Sequence, residues 1–142
     1  MKTLTHKFVR FIPQRKDLED GVLYVALDYG TIIHKCCCGC GNEVATPLSP
    51  TDWKLTYDGE TITLFPSIGN WNFDCQSHYW IKKSKVIMAV QLSKDDIKIG
   101  RENDRSKKLE YFNTKFKKPI PEVNYLEKNN TWWSRFISFL KR

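Results

Sequence analysis

Apolar and polar positions alternate through the first ninety residues and then lose that pattern. Thr5-His-Lys-Phe-Val-Arg-Phe-Ile12 and Val22-Leu-Tyr-Val-Ala-Leu27 are rich in β-branched and aromatic side chains, with Pro13 and Gly21 bounding the segment between them. Both predict strands. Thr31-Ile-Ile-His-Lys35 predicts another. Residues 53–57 and 61–65 alternate around Asp58-Gly59, a strong hairpin signal. Residues 78–81 and 85–90 flank the short turn Lys82-Lys83-Ser84 and predict a second hairpin. Pro47, Pro50 and Pro66 mark loops rather than central strands, because proline cannot donate to a ladder.

The register changes at Ser93. In Ser93-Lys-Asp-Asp96 a hydroxyl cap precedes early acids, which suits a helix start. One or two exposed helices are predicted from there to about Phe116, interrupted at Gly100. Lys117-Lys-Pro-Ile-Pro121 reads as an extended linker, and Trp132, Trp133, Phe136, Ile137 and Leu140 fall on one helical stripe. No internal repeat is visible.

Size and charge narrow the classes. A chain of 142 residues suits one domain, and 41% hydrophobic with 27% charged residues is a globular composition. No run approaches the ~18 apolar residues that would span a bilayer. The net charge of +7 is uneven: residues 1–93 carry 10 Lys/Arg against 9 Asp/Glu, and residues 94–142 carry 13 against 7. An acidic partner, nucleic acid or a membrane would therefore meet the carboxy-terminal third. Interspersed Asp95, Asp96, Glu102, Asp104 and Glu110 disfavour nucleic acid there and favour a solvated helical face. The terminal amphipathic segment, with Arg135, Lys141 and Arg142, predicts packing on its own domain or a sister subunit, with an anionic membrane surface as the alternative.

The candidate chemistry begins with cysteine. Cys36, Cys37, Cys38 and Cys40 crowd into five positions, and the fifth cysteine lies in Cys75-Gln-Ser-His78. Cys37-x-x-Cys40-Gly41 and Cys75-x-x-His78 have the spacing of two zinc knuckles, each aiming two ligands at one ion. The expected ligands are Cys37, Cys40, Cys75 and His78, with Cys36 and Cys38 as alternates. Near-neighbour cysteines cannot easily bridge one another, five is an odd number, and Met1-Lys-Thr-Leu-Thr-His lacks the apolar core of a signal peptide. A reduced, cytoplasmic, Zn2+-binding chain is the expectation. The predicted fold class is α+β: a mainly antiparallel β zinc-stabilised domain over residues 1–92, with residues 93–142 as its basic helical extension.

Four protein ligands close a zinc site and make it structural. No His-Glu-x-x-His or deaminase signature supplies a catalytic base. Between the knuckles, Pro66-Ser67-Ile-Gly-Asn-Trp-Asn-Phe-Asp74 is rich in side chains able to do nucleophilic or acid–base work. Ser67 and Ser77 are candidate nucleophiles, and Asp74 could orient an imidazole. The plainer reading is that Ser67, Asn70 and Asn72 satisfy loop backbone groups. Were all four ligands cysteines, His78 would be free to act as a base.

The segments 34–44 (His34-Lys-Cys-Cys-Cys-Gly-Cys-Gly-Asn-Glu-Val44), Thr46-Pro-Leu-Ser-Pro-Thr-Asp-Trp53, Pro66-Ser-Ile-Gly-Asn-Trp-Asn-Phe73 and Cys75-Gln-Ser-His-Tyr-Trp-Ile81 resemble a bacterial family. Its members are encoded beside ubiquitin-activating- and ubiquitin-conjugating-like proteins, and the resemblance covers roughly residues 5–110. More distant, phage-encoded relatives keep a cysteine knuckle, a Pro-Ser pair and a later Cys with a neighbouring Ser, which correspond here to Cys37, Cys40, Ser67, Cys75 and Ser77. Such operons resemble antiviral defence systems and need an enzyme to trim the ubiquitin-like precursor or remove it from targets. The resemblance thus implies a deubiquitinase-like peptidase, serine-dependent or zinc-dependent, with the ubiquitin-like protein and conjugation proteins as partners. A non-enzymatic zinc-ribbon-like adaptor for those same proteins is the alternative.

Overall fold

The computed structural model describes residues 2–116. The expected linker at 117–121 and the terminal amphipathic segment lie outside the described residues. The chain divides into two compact units, Met1–Tyr111 and Phe112–Arg142; the strands among the described residues belong to the first.

The fold is α+β; the described residues form eight strands in two four-stranded sheets. The first sheet runs in the order β1 (Thr5–Phe8), β2 (Val22–Ala26), β3 (Thr31–Lys35), β4 (Glu43–Pro47). The second is a meander of β5 (Lys54–Tyr57), β6 (Ile62–Gly69), β7 (His78–Lys82) and β8 (Lys85–Met88). All pairings are antiparallel except β1 with β2. The segment between β1 and β2 carries a short 3-10 turn and returns the chain to lie parallel.

Single bridges, Thr3 to Lys85 and Leu48 to Trp53, join the outer strands of one sheet to those of the other. The first is reinforced by Leu4 N–H donating to the Ser84 carbonyl at 2.7 Å and Val86 N–H to the Lys2 carbonyl at 2.9 Å. Inward-facing residues of both sheets meet in one core, among them Leu23, Val25, Ile32, Ile62, Leu64, Tyr79 and Ile81. Leu18, Val22, Tyr24 and Ile33 form a second cluster. Residues of β2 alternate between the two clusters, which is why this strand is an unbroken apolar run buried throughout.

Asp58 forms the β5–β6 turn that Asp58-Gly59 predicts: its carboxylate accepts from the Thr61 and Glu60 amides, and Gly59 adopts φ +98°. Beyond β8 the chain enters α1 (Lys94–Phe116), a single helix rather than two. Ser93 caps it, its Oγ accepting from the Asp96 amide at 3.1 Å and donating to the Asp96 carboxylate at 2.6 Å. Gly100 does not interrupt the helix. None of its described residues is buried, and among the described residues no helix is long and apolar enough to cross a membrane.

Candidate active site and cysteine cluster

Strand β6 is where the sheet stops being regular. Leu64 pairs with Ile81 and Ile68 with Tyr79, so four residues of advance on β6 match two on β7. The surplus makes a bulge through Phe65, Pro66 and Ser67, with a cis Phe65–Pro66 peptide. Proline is admissible there because a bulge leaves ladder groups unpaired. Pro66 was expected to mark a loop; it lies inside β6, at the bulge.

The bulge presents Ser67 to the first residue of β7. His78 Nε2 lies 2.9 Å from Ser67 Oγ, and His78 Nδ1 lies 3.3 Å from the Val90 carbonyl oxygen. A carbonyl can only accept, so Nδ1 carries the proton in this pairing and Nε2 is left to accept from the serine hydroxyl. These are the relations of a nucleophile, a base and an orienting group. Asp74 was the expected orienter, but among the described residues no hydrogen bond or ion pair joins it to His78, and it is exposed. A main-chain oxygen holds that place, which a side-chain search of the sequence cannot find.

Aromatic rings fix the imidazole on its flanks. Trp71 lies 5.0 Å from His78 between ring centroids, and Trp80 lies 5.5 Å away. Trp71 also covers Gly69 so closely that a Cβ there would meet the indole at 2.4 Å. The Ser67–His78 pair opens into a cleft of about 440 Å³. Trp53, Pro66, Gly69 and Trp71 line its β side, and Asp96, Ile97, Gly100, Arg101, Asp104 and Lys108 its helical side. Lys108 ion-pairs with Asp52 and, with the Ser49 hydroxyl, holds that carboxyl below its usual range. Arg101 donates to Asn72 Oδ1 at 2.9 Å. Helix α1 therefore supplies one wall of the cleft, a role its charged sequence did not announce.

Ser77 is placed differently. Alternation along β7 turns Ser77 and Tyr79 into the core and His78 to the opposite face. Ser77 Oγ is buried and lies 2.9 Å from Asn70 Nδ2 and 3.0 Å from Cys36 Sγ. Asn70 also reaches the Tyr79 hydroxyl at 3.4 Å, and that hydroxyl lies 3.0 Å from buried His34 Nε2. This polar chain ties β3, the 70–77 loop and β7 together. Burial keeps His34 neutral, lowering its pKa to about 4.

The Sγ atoms of Cys36, Cys38, Cys40 and Cys75 all lie within 4.8 Å of one another, so this group could hold a metal ion. Of the four first-choice ligands this group contains Cys40 and Cys75; the alternates Cys36 and Cys38 complete it, and Cys37 and His78 lie outside it. The reason is local. Cys36 N–H donates to the Asn42 carbonyl and Gly39 N–H to the Cys36 carbonyl, a tight turn with Gly39 and Gly41 at positive φ. Cys36 and Cys37 are both buried in the main core, but only the Cys36 sulfur converges with those of Cys38 and Cys40; burial pushes the Cys37 thiol up to about 11. His78 is engaged by Ser67 instead.

The donor set fits a metal. Sulfur separations of 3.4 Å (Cys36–Cys38), 3.6 Å (Cys40–Cys75) and 4.0 Å (Cys36–Cys75) bracket the ~3.8 Å edge of a tetrahedron with metal–sulfur bonds of about 2.3 Å. None of the five cysteines is in a disulfide. Asn42 Nδ2 lies 3.4 Å from Cys40 Sγ and Asn70 Nδ2 3.5 Å from Cys36 Sγ, donors of the kind that stabilise thiolates. Burial raises the Cys75 thiol, but hydrogen bonds with Ser77, Cys40 and Cys38 outweigh it and bring it to about 7.

Compared with known proteins, the chain matches no curated protein and no solved structure. A family model described as bacterial ubiquitination-like system serine protease (BubE) matches residues 8–89. That span is more than half of the chain; it takes in all five cysteines, Ser67 and His78, and ends before α1. The chain belongs to the bacterial ubiquitination-like system serine protease (BubE) family.

Proposed function

We propose that this protein is a serine peptidase that cleaves the ubiquitin-like protein of a bacterial conjugation pathway, from its precursor or from its targets. Ser67 is the nucleophile and His78 the general base. The observation that carries this reading is the 2.9 Å Ser67–His78 contact inside an open cleft, with Nδ1 facing a carbonyl oxygen. Family membership supports the pathway and its partners, the ubiquitin-like protein and the conjugation proteins.

The chemistry follows from the two distances. Ser67 Oγ attacks the scissile carbonyl while its proton passes to His78 Nε2. The imidazolium, held by the Val90 carbonyl, then gives that proton to the leaving amine as the carbon–nitrogen bond breaks. Water repeats the sequence on the acyl-serine: His78 takes its proton, the ester bond breaks, and the proton returns to Ser67.

Cys36, Cys38, Cys40 and Cys75 would hold Zn2+ as thiolates in a closed, structural site. The ion would anchor the end of the 70–77 loop, three residues from His78. An adaptor without catalysis, the other reading of such a closed site, leaves the serine–histidine pair and its cleft without use.

The test is incubation with the pathway's ubiquitin-like precursor. Wild type is expected to release the mature form, with Ser67→Ala and His78→Ala inactive and Ser77→Ala retaining cleavage in proportion to its folded fraction. Mass spectrometry should place a fluorophosphonate adduct on Ser67. Full cleavage by Ser67→Ala would overturn the assignment.

A further inference from the structure

Next to the catalytic cleft lies a second groove of about 430 Å³, between α1 and the loop around Trp71. Its helical wall carries Lys94, Lys98, Arg101 and Arg105, with Glu102 as the lone acid. Spacings of four, three and four residues put those four cations on one stripe of the helix. Trp71, Asn72 and Gln76 form the opposite wall. Among the described residues the ion pairs are Lys7–Glu19, Lys35–Asp20 and Lys108–Asp52, so no carboxylate is within ion-pair distance of Lys94, Lys98 or Arg105, and the groove carries four cations against Glu102. Arg101 is fixed by its bond to Asn72.

The groove is continuous with the site. Trp71, Ile97 and Arg101 line both the groove and the cleft that holds Ser67 and His78. A polypeptide bound across Ser67 and running past Trp71 would pass directly along the cationic stripe. Building on the peptidase reading above, we infer that this groove is an exosite for an acidic polypeptide segment flanking the scissile bond of the substrate. Charge complementarity decides between occupants. Residues 117–142 of the chain itself hold six Lys or Arg against two Glu, a composition that does not complement a cationic stripe. Mixed walls with an indole and two carboxamides suit a peptide, whose backbone takes hydrogen bonds from Asn72 and Gln76 as its carboxylates meet the lysines.

The probe is a fluorescently labelled decaglutamate peptide, with binding to the full-length protein followed by anisotropy. Binding should be saturable and should weaken as salt rises. Lys94→Glu/Lys98→Glu/Arg105→Glu should weaken it about tenfold or more, and the corresponding Gln triple should fall between. Arg101 is left intact because it also lines the catalytic cleft. These side chains are exposed, and circular dichroism checks that α1 persists. Unlabelled decaglutamate should slow precursor cleavage by wild type but not by the Glu triple, with fluorophosphonate labelling of Ser67 equal in both. Undiminished peptide binding by the Glu triple overturns the exosite. So does displacement by mixed-sequence single-stranded DNA at lower concentrations than unlabelled peptide requires. Charge-dependent peptide binding without cleavage of the precursor by any form would refute the peptidase reading alone.

Discussion

Gly69 is the position where one carbon atom should disable the site while sparing the fold. A Cβ there would stand 2.4 Å from Trp71 Cε2 and Nε1 and 2.6 Å from Cζ2, whereas ordinary contact begins near 3.4 Å. The indole must therefore move by about 1 Å, and being half-buried at the rim of the cleft it can swing outward. The stability loss is then that of one aromatic contact, about 1 kcal/mol. Activity should suffer more, because Trp71 packs against His78 with 5.0 Å between centroids, and His78 must stay within hydrogen-bond reach of Ser67. A displacement near 1 Å at a reacting pair costs about 10²-fold in rate. The assay is kcat for precursor cleavage by Gly69→Ala, with thermal denaturation alongside, in wild-type and Trp71→Ala backgrounds. In the latter the clash partner is gone, so Gly69→Ala should add little further loss. A kcat within twofold of wild type, or an equal loss in both backgrounds, would refute the argument.

Ser67→Ala should lower kcat about 10³-fold or more while leaving the melting temperature nearly unchanged, since among the described residues its hydroxyl bonds only to His78. Ser77→Ala should do the reverse, losing about 1 kcal/mol by removing a shared hydrogen-bond partner of buried Asn70 and Cys36, as denaturant titration would measure. Purified protein should contain one equivalent of metal by elemental analysis; Cys38→Ser should lose most of it, Cys37→Ser should keep it, and chelation should lower stability before chemistry. The Asp58 carboxyl should titrate near pH 2 by NMR, because the Thr61 hydroxyl and the Thr61 and Glu60 amides hold its charged form. Its folded pKa is depressed, so the stability it contributes is present at neutral pH and lost as pH falls from about 4 towards 2. Asp58→Ala should therefore be less stable than wild type at pH 7, with the difference vanishing near pH 2.

Local signals were legible where a single turn or a single period decides the structure. Asp58-Gly59 announces β5 and β6, Lys82-Lys83-Ser84 announces β7 and β8, and Ser93 announces α1. The strand β4 was not anticipated, since Glu43-Val-Ala-Thr-Pro47 is short and acquires its pairing only from β3. The parallel docking of β1 on β2 is a long-range choice with no sequence period of its own. At the cysteine cluster, three-residue spacing suggested Cys37 and Cys40, and four cysteines within five positions made several registers chemically equivalent. The choice falls to the turn, where Gly39 and Gly41 bend the chain so that the sulfurs of Cys36, Cys38 and Cys40 converge and that of Cys37 does not. Pro66-Ser67 offered the proposed nucleophile, but only the two-residue surplus of the bulge explains why Ser67 faces His78.

The short run Cys75-Gln-Ser-His-Tyr79 explains how one stretch can serve a cysteine cluster, a buried network and the Ser67–His78 pair at once. Gln76 adopts φ 40°, a left-handed kink between the cysteine and the strand, so Cys75 can turn to the other thiols before β7 begins. From Ser77 onward the period of two takes over. Ser77 and Tyr79 are sent inward to Asn70 and His34, and His78 outward to Ser67. Shifting β7 by one residue would bury the imidazole and expose the tyrosine, so every inward bond resists the slip that would dismantle the catalytic pair. The Asn70 amide, donating to the Ser77 carbonyl at 2.9 Å, closes the loop from the β6 side. Removing the metal anchor at Cys75 should therefore loosen the register of β7 before it unfolds the sheet. Hydrogen exchange should register this as earlier opening at Ser77 and Tyr79 than at Leu23 or Ile32; simultaneous opening of all four would mean that the cluster and the catalytic strand are not coupled in this way.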